Sequence, residues 1–284
     1  MALVVNNNLM ANNAARNLNT AYSALSTSTE RLSSGLRVNT ASDDAAGLAV
    51  RELMRSDIST INQGVRNAND GISMIQTADG ALSVIDEKLI RMKELAEQAA
   101  TGTYTDDQRL IIDSEYQAMA SEITRIANAT DFNGIYLLNG NLSGDGLTIH
   151  FGTGNDAAED KYDVSMDTCT ASALGIGLSA GEGAGAAVST QELAQASLEA
   201  LDAAIVSKDK VRANLGAMQN RLSATVSNLE IQAENLQAAE SRISDVDVAT
   251  EMTEYTKQQI ITQSAVSMLS QANSLPQMAL SLIG

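Results

Sequence analysis

Hydrophobic residues recur every seven positions in the C-terminal half of the sequence. The row contains Leu215, Leu222, Leu229, Leu236 and Ile243. A strict seven-residue repeat keeps one face of a helix against a partner, so this row predicts a left-handed coiled-coil seam. A capping box formed by Ser189 and Glu192 predicts that the helix begins near Thr190. We expect the helix to continue beyond Ile243, to about Gln271.

Apolar spacings of three and four residues predict three further helices. One runs from Ser42 or Asp43 to the segment ATGTY at 100–104. A shorter one begins at a second capping box, formed by Thr105 and Gln108. The last covers about 4–33, at the N-terminus.

The sequence contains only one proline, Pro276. Proline breaks helices, so its scarcity permits long ones. At 1.5 Å per residue, a helix from Asp43 to Ala99 is roughly 85 Å long. A sphere of 284 residues does not accommodate this length, and we therefore expect a rod.

The segment at about 133–188 differs from the helices, because it is rich in Gly, Asn and Asp. Apolar residues alternate with polar ones in two short stretches: Leu147, Ile149 and Phe151, then Tyr162, Val164 and Met166. This period of two predicts a β-hairpin with one covered face. The predicted fold class is mainly α: an elongated antiparallel helical bundle or coiled coil, with a small β-hairpin region at its far end.

The two ends of the chain carry more apolar side chains than one pair of helices can bury. No charged residue occurs between Ser267 and Gly284. We expect residues 1–42 and 246–284 to form a terminal coiled coil that also packs on copies of itself, and residues 43–245 to form an outer rod with three long helices. Self-complementary contacts that do not close produce a filament. The residues predicted to carry this self-assembly are Leu9, Leu18, Leu25, Leu32, Leu269, Leu275 and Leu282.

Catalytic and ligand-binding chemistry is weakly represented. The chain has one histidine, His150, and one cysteine, Cys169, too few for a His-based triad or a His/Cys metal site. No phosphate-binding glycine loop is present. The net charge of −17 argues against nucleic acid and anionic lipid as partners. We expect no enzyme activity, no catalytic residue, no cofactor and no metal.

Targeting signals give one further expectation. The N-terminus lacks the basic region and cleavage site of a secretory signal, and no apolar run is long enough to cross a membrane. The protein is therefore expected to stay in the cytoplasm or to leave by a route that needs no cleavable signal.

Three long motifs resemble bacterial flagellin. They are RLSSGLRVNTASDDAAGLAV at Arg31–Val50, TDFNGIYLLNG at 130–140, and ATEMTEYTKQQIITQSAVSMLSQANSLPQMALSLIG at the C-terminus. The resemblance covers all but about 141–188 and indicates a minimal flagellin without large outer variable domains.

The resemblance implies a structural subunit of the flagellar filament that serves swimming motility. Its terminal coiled coil would lie at the lumen side of an extracellular filament. Export would occur unfolded through the flagellar type III apparatus. The implied partners are other copies of the chain, a flagellar export chaperone, and the filament cap and hook-associated proteins.

An immune receptor is a further implied partner. Toll-like receptor 5 recognises the outer-core helices of some flagellins, and Arg91, Leu95 and Glu115 fall on the matching positions. The other interpretation is that these residues serve contacts between protofilaments.

Three alternatives to a filament subunit remain open. The first is a hook–filament junction protein of the same superfamily, the second a chemoreceptor-like signalling coiled coil, and the third an enzyme. Only the filament interpretation predicts long polymers from one purified chain.

Overall fold

The computed structural model describes residues 8–144, 146–156, 158–177 and 185–283. Its elements, in chain order, are helices α1 (Leu9–Ser34), α2 (Ala45–Ala100) and α3 (Asp106–Ala129), strands β1 (Asp131–Phe132), β2 (Ile135–Tyr136), β3 (Leu147–His150) and β4 (Lys161–Val164), and helices α4 (Gln191–Ser244) and α5 (Val248–Ile283). Most described residues are helical, which confirms the predicted mainly α class. Side chains of α5 are described as far as Ser274, and again at Met278.

The chain divides into two compact units. The terminal unit contains α1, the start of α2 up to Ile58, and the chain from Glu234 onward. The central unit is Ser59–Ala233. The domain division expected at residues 42/43 and 245/246 stays a prediction.

Short-range capping decides where three helices begin. The Thr105 hydroxyl accepts a hydrogen bond from the Gln108 amide, and the Gln108 side chain accepts one from the Thr105 amide. This confirms the predicted capping box of α3. In α2, the Asp44 carboxylate accepts from the Gly47 amide at 2.8 Å, so the helix begins close to its predicted start. Asn8 caps α1, and the four residues predicted before it lie outside the described part of the chain.

Two predictions about the C-terminal helix were wrong. Thr190, and not Ser189, caps α4: its hydroxyl accepts from the Leu193 amide at 3.3 Å. The helix also ends at Ser244 and does not continue to Gln271. A separate helix, α5, begins at Val248, after three intervening residues.

The break between α4 and α5 is held by backbone contacts with the end of α1. Gly35 ends α1 in the left-handed conformation (φ 72°) and accepts from the Val246 amide at 3.0 Å. The Arg37 amide donates to the Ser244 carbonyl at 2.6 Å. Asp247 then caps α5, because its carboxylate accepts from the Ala249 amide and the Thr250 hydroxyl. These hydrogen bonds hold the pKa of Asp247 below its usual range, with the Thr250 side chain contributing most.

The core of the central unit lies between α2, α3, α4 and the strands. It is built mainly from aliphatic side chains, among them Leu82, Ile85, Leu89, Met92, Ile123, Leu201 and Leu215. The buried Tyr116 of α3 binds the segment that precedes α4, because its hydroxyl donates a hydrogen bond to the Gly185 carbonyl at 2.9 Å. Burial raises the pKa of Tyr116 to about 12, so the hydroxyl stays a donor at all physiological pH values.

The β3–β4 hairpin packs on α2 at two glycines. The strands are antiparallel, with Leu147 opposite Val164 and His150 opposite Lys161. The alternating pattern predicts the hairpin but not this register. A Cβ atom at Gly64 would lie 2.0 Å from the Phe151 carbonyl oxygen, and one at Gly71 would lie 2.3 Å from Ile149 Cδ1. At Gly64 the obstacle is backbone, so only glycine lets the hairpin approach so closely there, whereas at Gly71 the obstacle is the end of a side chain that can rotate away.

Candidate self-assembly surface

Helices α1 and α5 pack against each other within the terminal unit. The Asn8 side chain at the start of α1 donates to the Ala272 carbonyl, far along α5, at 2.7 Å. Near the other end of α1, Arg31 Nη1 lies 3.9 Å from the carboxylate of Glu251, in the first turn of α5. The two helices are therefore antiparallel.

Small residues form the tightest part of this contact. Ala21 and Ser28 of α1 and Ala272 of α5 are buried. The leucines of the same α1 stripe, Leu18, Leu25 and Leu32, are half-buried, as is Leu269 of α5. Two helices alone bury such a stripe incompletely, because each covers only one side of the other.

Large apolar side chains remain exposed beside this contact. Leu9 is 67% exposed, Ile260 57% and Met268 61%. Together with neighbouring side chains they line an open groove between α1 and α5 with a volume of about 480 Å³. The lining residues are Leu9, Met10, Asn13, Ala14, Asn17, Ile260, Ile261, Ser264, Ala265 and Met268. Exposed apolar surface of this kind marks a site where another molecule binds.

The self-assembly residues predicted from sequence lie in different parts of this surface. Leu9 lines the groove, whereas Leu18, Leu25, Leu32 and Leu269 are half-buried and do not line it. Leu275 and Leu282 belong to α5, but their side chains fall outside the described part of the chain.

Sequence reasoning missed Met10, Ile260, Ile261 and Met268 as groove residues. The available signal was the charge-free run, which begins at Gln258, directly after Lys257, and not at Ser267. Ile260, Ile261 and Met268 fall inside that longer run.

The predicted coiled-coil row divides by burial. Leu215, Leu222 and Leu229 are buried in the central unit. Leu236 and Ile243, in the terminal unit, are half-buried. The seven-residue pattern thus marks a covered face along α4, most fully where the central unit surrounds it.

The residues predicted to contact an immune receptor do not share one environment. Arg91 and Glu115 are exposed and form an ion pair between α2 and α3, with Arg91 Nη2 2.8 Å from Glu115 Oε1. The Glu115 and Glu94 carboxylates raise the pKa of Arg91. Leu95 is only 2% exposed and belongs to the core. A direct receptor contact by Leu95 is therefore wrong for the folded chain, because neighbouring side chains already cover it.

The described residues give little support for chemistry at other places. Among them, no group of three or more His, Cys, Asp or Glu side chains is arranged to hold a metal ion. His150 is exposed on its strand, as expected. Burial raises the pKa of the Cys169 thiol to about 11, so it is a poor nucleophile in the folded protein. No helix in the described ranges combines the length and apolar character needed to cross a bilayer.

Comparison with known proteins assigns the family. Residues 5–143 match the family model of the bacterial flagellin N-terminal helical region, and residues 198–283 match that of the C-terminal helical region. The chain belongs to the flagellin family. The resemblance noted in the sequence is thereby confirmed.

Individual flagellins are similar over almost the whole chain. Flagellin FlaB2 of Treponema pallidum is 42% identical over 289 residues, which covers 99% of this chain and 100% of the relative. The flagellar filament 33 kDa core protein of Treponema phagedenis is also 42% identical over 289 residues, with the same coverage. A crystal structure of Bacillus cereus flagellin is 32% identical, covers 62% of this chain and 94% of that one, and has a TM-score of 0.48. The predicted short, minimal form of flagellin fits relatives that are matched over their full length.

Proposed function

We propose that this flagellin is a structural subunit that polymerises into the bacterial flagellar filament and so serves swimming motility. The observation that carries the proposal is the open apolar groove between α1 and α5, in a chain of this family. Leu9, Ile260 and Met268 are exposed to water in the single chain, and packing of another copy on the groove would cover them. A relative that is matched over its full length is named as a flagellar filament core protein.

The groove fits repeated addition of copies better than closure into a dimer. It is lined mostly by apolar side chains, with uncharged Asn13, Asn17 and Ser264 at intervals. None of the described lining residues is charged, so these side chains cause no like-charge repulsion between copies despite the net charge of −17. Contacts between different faces of identical subunits extend into a filament when the rotation between copies does not close into a ring. The terminal segments 1–42 and 246–284 would form the inner, lumen-side part of the polymer.

Seeded elongation of purified chains tests this proposal. We would compare the full chain, a chain lacking residues 1–41 and 246–284, and the full-length variants Ile260→Asp and Met268→Asp. Ile231→Asp is the matched control, because Ile231 is 59% exposed on α4 but lies outside the groove. Electron microscopy and sedimentation measure the polymer formed on filament fragments.

We expect long filaments from the wild type and the Ile231→Asp control, and none from the truncated chain or the groove variants. A carboxylate inside a covered apolar contact costs more than that contact gains. Filaments from the truncated chain would place assembly in the central unit and contradict the role of the groove. A wild-type chain that never elongates would instead favour the hook–filament junction protein.

The family also bears on enzyme activity, location and partners. Flagellins are structural proteins of an extracellular appendage, and other copies of the chain are the main partner. We further propose export in the unfolded state through the flagellar type III apparatus, without a cleavable signal peptide. An export chaperone, the filament cap and hook-associated proteins would handle the chain before and during assembly.

Toll-like receptor 5 is proposed as a partner through Arg91 and Glu115. Both side chains are exposed and offer a charged pair on adjacent helices. Arg91→Ala soluble protein should signal less than the wild type in reporter cells. No response to the wild type, at doses where a recognised flagellin signals, would contradict this partner.

A further inference from the structure

One lysine interrupts the apolar row of α4. The row extends further toward the N-terminus than the sequence pattern suggests, because Leu201 is also buried. Between Leu201 and Leu215 the same heptad position is Lys208, whose side chain is only 2% exposed. A buried lysine needs a partner, and Lys208 forms ion pairs with Asp86 of α2 and with Asp209 beside it, the latter at 2.8 Å.

Two further ion pairs join α2 and α4 on either side of Lys208. Lys93 of α2 pairs with Asp202 of α4. Arg212 Nε lies 2.7 Å from Asp79 Oδ1, and a second guanidinium nitrogen lies 3.3 Å from Asp79 Oδ2. We call these three cross-helix pairs the ion ladder: Lys93–Asp202, Asp86–Lys208 and Asp79–Arg212. Its α2 members are seven residues apart.

The face of α2 that packs on the core has no buried charged residue comparable to Lys208 in its two heptad rows. Its two rows, at intervals of seven, are Ile61, Ala68, Ile75, Leu82, Leu89 and Ala96, and Gly64, Gly71, Ala78, Ile85, Met92 and Ala99. All of these residues are apolar or glycine, and all are buried. A displacement of α4 by one heptad would place its leucines against residues of the same character. Apolar packing therefore distinguishes weakly between registers that differ by seven residues.

The ion ladder distinguishes these registers by charge. If α4 moves one heptad in one direction, Lys208 comes opposite Lys93 and Asp202 comes opposite Ala100. If it moves the other way, Asp202 comes opposite Asp86 and Arg212 comes opposite Ile72. Each displacement keeps one attractive pair, creates one repulsive pair and leaves two charges unpaired, one on each helix.

We propose that the ion ladder selects the register in which α4 docks on α2 when the chain folds. Buried polar groups at heptad positions are known to specify register at some cost in stability. The pair between Lys208 and Asp86 is the central one, and Lys208 is the most deeply buried charge of the three pairs. The exposed outer pairs supply the sign pattern that makes both slipped registers unfavourable.

Spin-label distances after refolding test this proposal. Labels would be attached to the full chain at Ser83→Cys of α2 and Ser207→Cys of α4, both of which are exposed. Cys169 is buried and stays unlabelled in the folded protein. Samples refolded from urea are frozen early and after long incubation. One heptad displaces a helix by roughly 10 Å along its axis. A displacement that brings Lys208 opposite position 93 moves the two labels further apart, so this slipped register gives a clearly separate distance.

The variant Lys93→Asp discriminates best between the native and the slipped register. It makes the pair with Asp202 repulsive in the native register and makes Lys208 attractive to position 93 in the slipped one. Because the Lys93 side chain is 44% exposed, we expect the chain to fold with this change. We expect the wild type to give one distance and Lys93→Asp to give a second one, displaced by one heptad.

Controls separate charge pattern from general destabilisation. Lys93→Gln removes the outer pair without favouring the slipped register and should give one distance. Lys93→Asp combined with Asp202→Lys restores attraction and should return the single native distance. Lys208→Leu completes the apolar row and should give two distances in a folded chain. A single native distance in both Lys93→Asp and Lys208→Leu would overturn the proposal and assign the register to packing alone.

Discussion

At the scale of single residues, the contact between α2 and the hairpin depends on an absent side chain. Gly64 lies in the middle of a long helix, where glycine normally costs stability relative to alanine. Glycine is needed here because the Phe151 carbonyl occupies the space that a Cβ atom would fill. At Gly80 of the same helix, nothing lies within 4 Å of the Cβ position. Glycine there lowers the stability of the helix without allowing any close contact.

Gly64→Ala and Gly80→Ala should therefore change stability in opposite directions. We expect Gly64→Ala to lower the free energy of unfolding by about 1–3 kcal/mol, because the hairpin must shift away from α2. Gly80→Ala should raise it by about 0.5–1 kcal/mol. Urea unfolding followed by circular dichroism measures both. An increase in midpoint for both variants would show that the hairpin yields without cost.

At the scale of elements, helix boundaries were predictable where one short segment decides them. Thr105 and Gln108 satisfy each other's amides, and no distant residue takes part. The start of α4 was misassigned by one residue because Ser189 and Thr190 are adjacent and both can cap. The break after Ser244 could not be found locally: no glycine or proline lies there, and the row of apolar residues reaches Ile243. Its cause is distant in sequence, in the backbone bonds to Gly35 and Arg37.

The cap of α5 should be sensitive to acid. The lowered pKa of Asp247 means that its carboxylate stabilises the folded state above the usual aspartate pKa of about 4. That contribution is lost as the pH falls through the lowered value. We expect the amide signals of Ala249 and Thr250 to shift in NMR spectra below about pH 4, the usual aspartate range.

Asp247→Asn is the control for this titration. Asparagine also caps helices well but does not titrate. The same two amides should then be insensitive to pH over that range. A titration that persists in Asp247→Asn would assign the acid response to another carboxylate.

At the scale of the whole molecule, the two units differ in what they bury. The central unit encloses large side chains such as Leu82, Ile85 and Tyr116. In the contact between α1 and α5, the described buried residues are Ala21, Ser28 and Ala272. The sequence pattern indicated both sets of helices but not this difference, because repeat spacing shows which face is covered and not how completely. Leu95 illustrates the point: it follows Leu89 and Met92 at spacings of three residues, and this apolar spacing already indicated burial.

Hydrogen exchange should reveal this difference in the soluble chain. We expect amides of α5 around Ile260–Met268 to exchange at least about 100-fold faster than those of α2 around Leu82–Met92, because local opening there exposes little apolar surface. Exchange followed by mass spectrometry measures both segments. In assembled filaments the α5 amides should become protected. Equal protection of both segments in the soluble chain would mean that the helix pair is stable alone.

The ion ladder also bears on how such a chain can change length over evolutionary time. Loss of seven residues from α2 alone would keep its apolar rows continuous but would move Asp79, Asp86 and Lys93 away from their partners. A matching loss from α4 would restore every pair. Insertions and deletions in these two helices are therefore expected to be inherited together, as coordinated events in two stretches of the gene that lie far apart.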